Sequence, residues 1–359
     1  MRGSPGGSAD EAAIDPVCHT LVGAALGRSG LSRRTAYGTA TLLIGANLPD
    51  IDIFAYLDGP GADLAFRRGW THGIPAMIVL PLALTAFVVL LDLAVRRVTR
   101  ATLPSSVSVT GVLRLAAIAV WTHPMLDTLN TYGVRWLMPF SQRWLYGDTL
   151  FIVDPWLWLI LGIGILLSGE RKRSRQPAGR TSRPARLALT VGSVYVALMA
   201  LMGVASRRIA ARELTMMSGE PVEKLMLGPT PLTPFVRQVV AAQGARYRTG
   251  QFRWLRRPHI DPATVRIYSR GQPASGPVAS AIQSELGRRF LSWARFPVFQ
   301  SVATRDGATL VYVIDLRYAD RPSAGFGTVT IRVPPQTASA SSSETRQPSG
   351  RAGPAARAP

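Results

Sequence analysis

Residues 71–97 read THGIPAMIVLPLALTAFVVLLDLAVRR, and three features of the chain meet in them. Ile74 to Val95 is 22 residues long with Asp92 as its only charge. At about 1.5 Å per residue that length crosses roughly 30 Å of hydrocarbon. Arg96-Arg97 closes the stretch, and basic residues beside a span mark its cytoplasmic end. His72 stands at the opposite end, where an imidazole at the rim of a membrane is either a ligand or an interfacial polar group.

Working outward, Leu187 to Ala205 supplies 19 uncharged residues, a second span. Pro155 to Gly169 is uncharged over 15 residues and inserts with help from Phe151-Ile-Val or a locally thin bilayer. Val107 to Leu126 is apolar apart from Arg114, which snorkels if this is a span; the alternative is a buried helix outside the membrane. The 359 residues are 47% hydrophobic yet carry a formal charge of +20, which suits a multi-pass membrane protein with its charge in loops and tail. No nucleic-acid motif accompanies that charge, so no specific nucleic-acid partner is expected. The single Cys18 excludes an intramolecular disulfide, and residues 1–13 lack the apolar core of a cleavable signal.

The basic residues set an orientation. Arg171 to Arg186 is a dense positive block between two apolar segments and is expected in the cytoplasm, as is the loop opened by Arg96. Counting back from these loops places His72 outside; counting forward places His123, Asp127, Asp148 and Asp154 outside as well. Thr20–Gly30 and Thr35–Ala46 are two short helical patterns. Packed as a hairpin, or lying in the interface, they bring His19 and Asp50 together.

After the last span the periodicity changes. Leu232–Gln243 and Val278–Ala294 suggest amphipathic helices, and Ala245–Leu255, Thr264–Arg270, Leu310–Tyr318 and Thr328–Val333 alternate like strands. The expected architecture is mainly α: a disordered 1–13, a multi-pass transmembrane helical bundle over 14–205, a small α+β extracytoplasmic domain over 206–335, and a disordered tail over 336–359.

Four clusters carry candidate chemistry. His123 and Asp127 lie four apart and project from one helix face. Asp50 and Asp52 follow Pro49 at the end of an apolar helix, where a carboxylate opposes the helix dipole and calls for a cation. With His19 and His72 they give the metal-ligand candidates His19, Asp50, Asp52, His72, His123 and Asp127. Asp148 and Asp154 are candidate catalytic acceptors of a proton from water; the plain alternative is a turn acid and a helix N-cap with Pro155 behind it. Arg68, Arg135 and Arg143 flank the ligand motifs as candidate contacts to an anionic substrate, or as ordinary headgroup contacts.

Read together, Asp15-Pro-Val-Cys-His19, Asn47-Leu-Pro-Asp50-Ile-Asp52, Arg68-Gly-Trp-Thr-His72, His123-Pro-Met-Leu-Asp127-Thr-Leu-Asn130 and the later Tyr146-Gly-Asp148 and Asp154-Pro-Trp-Leu-Trp158 resemble the successive motifs of the YdjM-like, LexA-regulated inner-membrane metal-dependent hydrolases. The likeness covers about residues 14–205, and Gly228 to Pro234 with Arg246 to Trp254 resembles that family's outer domain. The order of ligands is more distantly similar to the zinc-dependent phospholipase C and S1/P1 nuclease group. One departure is Arg67, where members of the YdjM-like family often have a histidine. The resemblance implies a hydrolase holding one to three divalent ions, zinc above all, on the outer face of the bacterial cytoplasmic membrane. The expected partners are the lipid bilayer and an anionic lipid or phosphoester substrate. A non-catalytic membrane scaffold with a structural metal or acid–histidine site is the competing expectation.

Overall fold

The structure is a computed structural model that describes residues 6–58, 64, 66–99, 107–168, 182–271, 273–319, 321 and 326–335. Most of the basic block from Arg171 and the whole tail from residue 336 lie outside the described residues.

Among the described residues six helices form the bundle: α1 (Gly6–Arg28), α2 (Gly38–Asn47), α3 (Ile74–Thr99), α4 (Val109–Thr128), α5 (Pro155–Leu167) and α6 (Arg183–Ser218). Of these, α3, α4 and α6 are long and apolar enough to cross a membrane, and α5 is apolar but only 13 residues long. The expected helices over 74–95, 107–126 and 187–205 are therefore present, the first and third longer than their apolar runs and the second of equal length but shifted two residues along the chain. Residues 6–13, expected to be disordered, are instead the first turns of α1, where Ala9, Glu11, Ala12 and Ala13 are strong helix formers.

The chain passes up and down the bundle, and close contacts fix which ends meet. The guanidinium of Arg186, in the first turn of α6, donates to the carbonyl of Ser29 just past α1. Ser108, which caps α4, donates its N–H to Thr35 before α2. Ser168 at the end of α5 accepts from the N–H of Ala185 in α6. One end of the bundle thus collects Arg28, Arg33, Arg34, Arg183 and Arg186, with Arg96 and Arg97 at the matching end of α3. The helices approach closely at glycines: a Cβ on Gly45 of α2 would lie 2.8 Å from Ala119 of α4, and one on Gly164 of α5 2.2 Å from Ala188 of α6.

At the other end α6 continues without a break through the expected boundary at Ser206. Ala210 and Leu214 on this extension pack against Leu227, Val239, Ala241 and Phe252, so the helix belongs to both domains. The C-terminal domain holds an antiparallel sheet in the order β1 (Lys224–Pro229), β2 (Val236–Gln243), β3 (Arg246–Arg253), β4 (Arg266–Ser269). Two helices follow, α7 (Gly276–Gln283) and α8 (Glu285–Trp293), and then a second antiparallel sheet of β5 (Pro297–Ala303), β6 (Thr309–Asp315) and β7 (Thr328–Val333).

The helix expected over Leu232–Gln243 is corrected to strand β2. Its residues from Val239 onward are buried on both faces, which removes the alternation that marks a half-exposed strand. Pro229, Pro231 and Pro234 keep the preceding segment from opening a helix. The domain packs on the segment joining α4 to α5: Tyr132 and Trp144 of that segment share a core with Phe290, Trp293 and Val311. Arg317 and the Trp293 indole donate to the carbonyls of Thr131 and Tyr132.

Candidate metal centre

The end of the bundle opposite the basic residues gathers the histidines and carboxylates. His19 lies in the middle of α1. Asp50 and Asp52 sit on the 3-10 turns Leu48–Asp58 that follow α2, where Pro49 ends regular helix. His72 precedes α3, and His123 and Asp127 occupy the last turns of α4. Alternating helix direction is what brings these four sequence regions to one level.

Asp127 is the hub. Its two oxygens lie 3.3 Å from His19 Nε2, 3.2 Å from His72 Nε2 and 3.4 Å from His123 Nε2. Asp50 Oδ1 stands 3.4 Å from the same His123 nitrogen. One ligand atom each from Asp50, His72, His123 and Asp127 falls within 4.8 Å of the others, a spacing that can hold a metal ion. His19 flanks the group, its ring stacked on His123 with centroids 3.7 Å apart.

Hydrogen bonds on the far side of the rings fix their tautomers. His123 Nδ1 lies 2.6 Å from the carbonyl of Ala46, which can only accept, so Nδ1 carries the proton and Nε2 presents a lone pair. The Thr71 hydroxyl donates to Asp52 Oδ2 at 2.7 Å and is left to accept from His72 Nδ1 at 2.9 Å. His72 Nε2 is thereby also a lone-pair donor. Those two nitrogens, Asp50 Oδ1 and both Asp127 oxygens are buried without a hydrogen-bond partner among the described residues. Buried polar atoms left so cost about 1–3 kcal/mol each. Apart from Arg68 and His19 beside Asp127 Oδ1, no donor stands between these lone pairs and carboxylate oxygens, an arrangement that fits a bound cation, and imidazole with carboxylate suits zinc.

Asp52 occupies a different position from the other candidates. Its Oδ2 accepts from the Arg68 N–H at 2.9 Å and from Thr71, and lies 3.4 Å from His72 Nδ1, the side of the ring turned away from the cluster. Its Oδ1 faces Arg67 Nε at 3.5 Å. Burial alone would raise the pKa of Asp52, but His72, Arg67 and Thr71 hold it below the usual carboxylate value.

Arg68 reaches the centre itself, with Nη2 3.2 Å from Asp127 Oδ1 and Nη1 donating to Asn130. Its backbone takes φ 49°, a left-handed conformation in which Cβ crowds the following carbonyl oxygen at a cost of about 1–2 kcal/mol. The N–H bond to Asp52 and the packing of the guanidinium over Tyr132 at 4.6 Å hold it there.

The remaining site candidates separate. Asp154 caps α5, accepting from Leu157 N–H through one oxygen and from the Tyr195 hydroxyl through the other. It also lines a narrow cleft whose walls include Cys18, His19, Asp127 and Asn130. Asp148 lies in an ion-pair network instead, 2.7 Å from both Arg207 of α6 and Arg295 of the C-terminal domain. Arg135 is buried, donating to the Arg67 carbonyl and lying 4.7 Å over Trp144, and Arg143 is exposed. Sequence reasoning missed Thr71, Asn130 and the Ala46 carbonyl. Only Thr71, next to His72, carried a local signal.

Comparison with known proteins gives two matches that bear on this arrangement. Uncharacterized protein YfhP of Bacillus subtilis (strain 168) is 24% identical over 234 residues, which is 60% of this chain and 62% of that protein. This chain therefore spans a little under two thirds of that relative's length. No solved structure matches. The model of the YdjM inner membrane protein family matches residues 14–210, which takes in α2 to α5 whole, most of α1 and α6, and every member of the cluster from His19 to Asp127. With its apolar helices and that match over more than half its length, the chain belongs to the YdjM inner membrane protein family.

Proposed function

We propose that the protein is a membrane-bound, metal-dependent hydrolase acting on a phosphoester or lipid-like substrate at the outer face of the cytoplasmic membrane. The observation that carries this reading is the convergence of lone-pair nitrogens on His72 and His123 with the orphaned oxygens of Asp50 and Asp127. Orientation is supported by charge. The dense basic run of sequence from Arg171 to Arg186, with Arg96 and Arg97, favours the cytoplasm for that end, and the cluster and the C-terminal domain would then lie outside.

Charge also bears on the number of ions. Asp50, Asp52 and Asp127 bring three negative charges, Arg67 and Arg68 return two positive ones, and Asp154 on the adjoining cleft adds one more carboxylate. Arg135, buried nearby, returns a third positive charge, so the group keeps a net negative charge that a cation would offset, and buried charge needs such matching. When bound, a zinc ion polarises a phosphoryl or ester oxygen and makes water a better acid. Asp50, His72, His123 and Asp127 would hold it, and His19 stands at the cleft side, where substrate enters. Asp154, which lines the same cleft as His19 and Asp127, would accept the proton as water attacks. The new P–O bond forms as the bond to the leaving oxygen breaks, and that oxygen takes a proton back.

Detergent-purified protein, stripped by chelator and reloaded with zinc, should hydrolyse a simple phosphodiester such as bis(4-nitrophenyl) phosphate only when loaded. Asp154→Asn should retain zinc and lose the reaction. Loaded wild type with no hydrolysis of this probe or of phospholipid would favour the scaffold reading, to which the direct Arg68–Asp127 pair already lends some support.

A further inference from the structure

Beneath the cation cluster lies a second space. An apolar groove runs between α1, α4, α5 and α6, lined by Val22, Leu26, Leu126, Leu157, Leu161 and Val196, and no charged residue borders it among the described residues. The Thr122 hydroxyl on its wall is already bonded to the Ala119 carbonyl of its own helix. Met125 and Ser193, both exposed, stand at its open side.

The groove and the ligand cleft adjoin and together mark out one candidate channel. Leu126 and Leu157 border both spaces. On α1, Cys18 and His19 line the cleft, while Val22 and Leu26, one and two turns further from the ligand end, line the groove. On α5, Asp154 caps the helix at the cleft, and Leu157 and Leu161 descend from it. From Leu189 to Val196 along α6 the groove extends about 10 Å, or roughly a third of the hydrocarbon thickness. The floor is kept open by Gly192, where a Cβ would meet Leu157 at 3.2 Å.

Polar at the headgroup end and apolar below it, this channel has the polarity of one bilayer amphiphile. We infer that the groove takes an acyl chain of a membrane phospholipid whose headgroup phosphate enters the cleft beside Asp127. This rests on the hydrolase reading and names its substrate class. The lipid arrives sideways from the bilayer between α4 and α6, and Asn130 and His19, on the cleft walls, meet its polar end.

The test uses the full-length, zinc-loaded protein in vesicles of phosphatidylethanolamine and phosphatidylglycerol, with a trace of phosphatidylglycerol carrying a diazirine in one acyl chain. After illumination, adducts are mapped by mass spectrometry. The outward face of α3, exposed at Ile78, Leu82 and Leu90, reports ordinary bilayer contact in the same sample. Adducts in the Thr122–Leu129 and Pro155–Leu167 segments should exceed those on α3 severalfold. Ser193→Trp or Gly192→Leu should bring them down to the α3 level while zinc content is unchanged. Equal labelling of groove and α3 in wild type, with zinc bound, would overturn the lipid inference and leave the hydrolase reading standing. Enriched labelling in a protein that takes up no zinc would uphold the groove and overturn the hydrolase reading instead.

Discussion

Replacing Asp52 by Asn keeps the shape of the side chain and removes its charge. Asp52 holds Thr71 and the Arg68 N–H with one oxygen and faces Arg67 with the other, so it orients His72 from behind. Outer partners of metal-binding histidines are worth about 10- to 100-fold in affinity, or about 1.4–2.7 kcal/mol. The same change leaves Arg67 buried beside an amide. Breaking a buried ion pair costs up to about 3–5 kcal/mol, and the 3.5 Å Nε–Oδ1 separation points to the low end of that range. Zinc competition against a chromophoric chelator, with thermal unfolding of the same samples, measures both. Asp52→Asn should bind zinc within that 10- to 100-fold window, whereas Asp127→Asn should lose it altogether. Unchanged zinc affinity in folded Asp52→Asn would refute the orienting role. A loss as complete as that of Asp127→Asn would make Asp52 a direct ligand.

Three further outcomes follow from the fold. Reporter fusions at about residue 178 should read cytoplasmic and those at about residue 260 extracytoplasmic, from the positive-inside bias; the same side for both would remove α6 as a span. Asp148→Ala should loosen the C-terminal domain from the bundle, seen as faster proteolysis, by up to about 3–5 kcal/mol less the discount for half-exposed Arg207, with zinc retained. Activity lost with no change in protease resistance would instead give Asp148 a chemical role. Gly164→Leu should destabilise the α5–α6 pair by at least the about 1–3 kcal/mol typical of overpacking, since even a Cβ there meets Ala188 at 2.2 Å; an unchanged melting temperature would contradict that packing.

The long apolar runs of α3 and α6 were legible because composition alone identifies a segment that suits hydrocarbon. The cluster was legible because His19, Asp50, His72 and the His123/Asp127 pair each sit at one kind of place, the same end of successive up-and-down segments. Local pattern could not say which carboxylates face a common point. Asp52 is two residues from Asp50, yet the 3-10 backbone turns it behind His72, and the decisive contact comes from Arg67 across the chain. Asp148 and Asp154 looked alike as acids near a span. Their difference lies in Arg207, Arg295 and Tyr195, all more than 40 residues away. In the C-terminal domain, β2 was read as helix because burial on both faces erases the period that separates strand from helix.

The most direct test of the account is the metal content of detergent-purified protein, measured by elemental mass spectrometry alongside His123→Ala, Asp127→Ala and His259→Ala. His259 pairs with Glu213 in the C-terminal domain, away from the cluster, and serves as the control. The account predicts close to one zinc or similar divalent ion per wild-type and His259→Ala chain, and little in His123→Ala or Asp127→Ala, because each remaining donor then faces an incomplete shell. Equal metal content in all four proteins, each folded in the membrane, would contradict it.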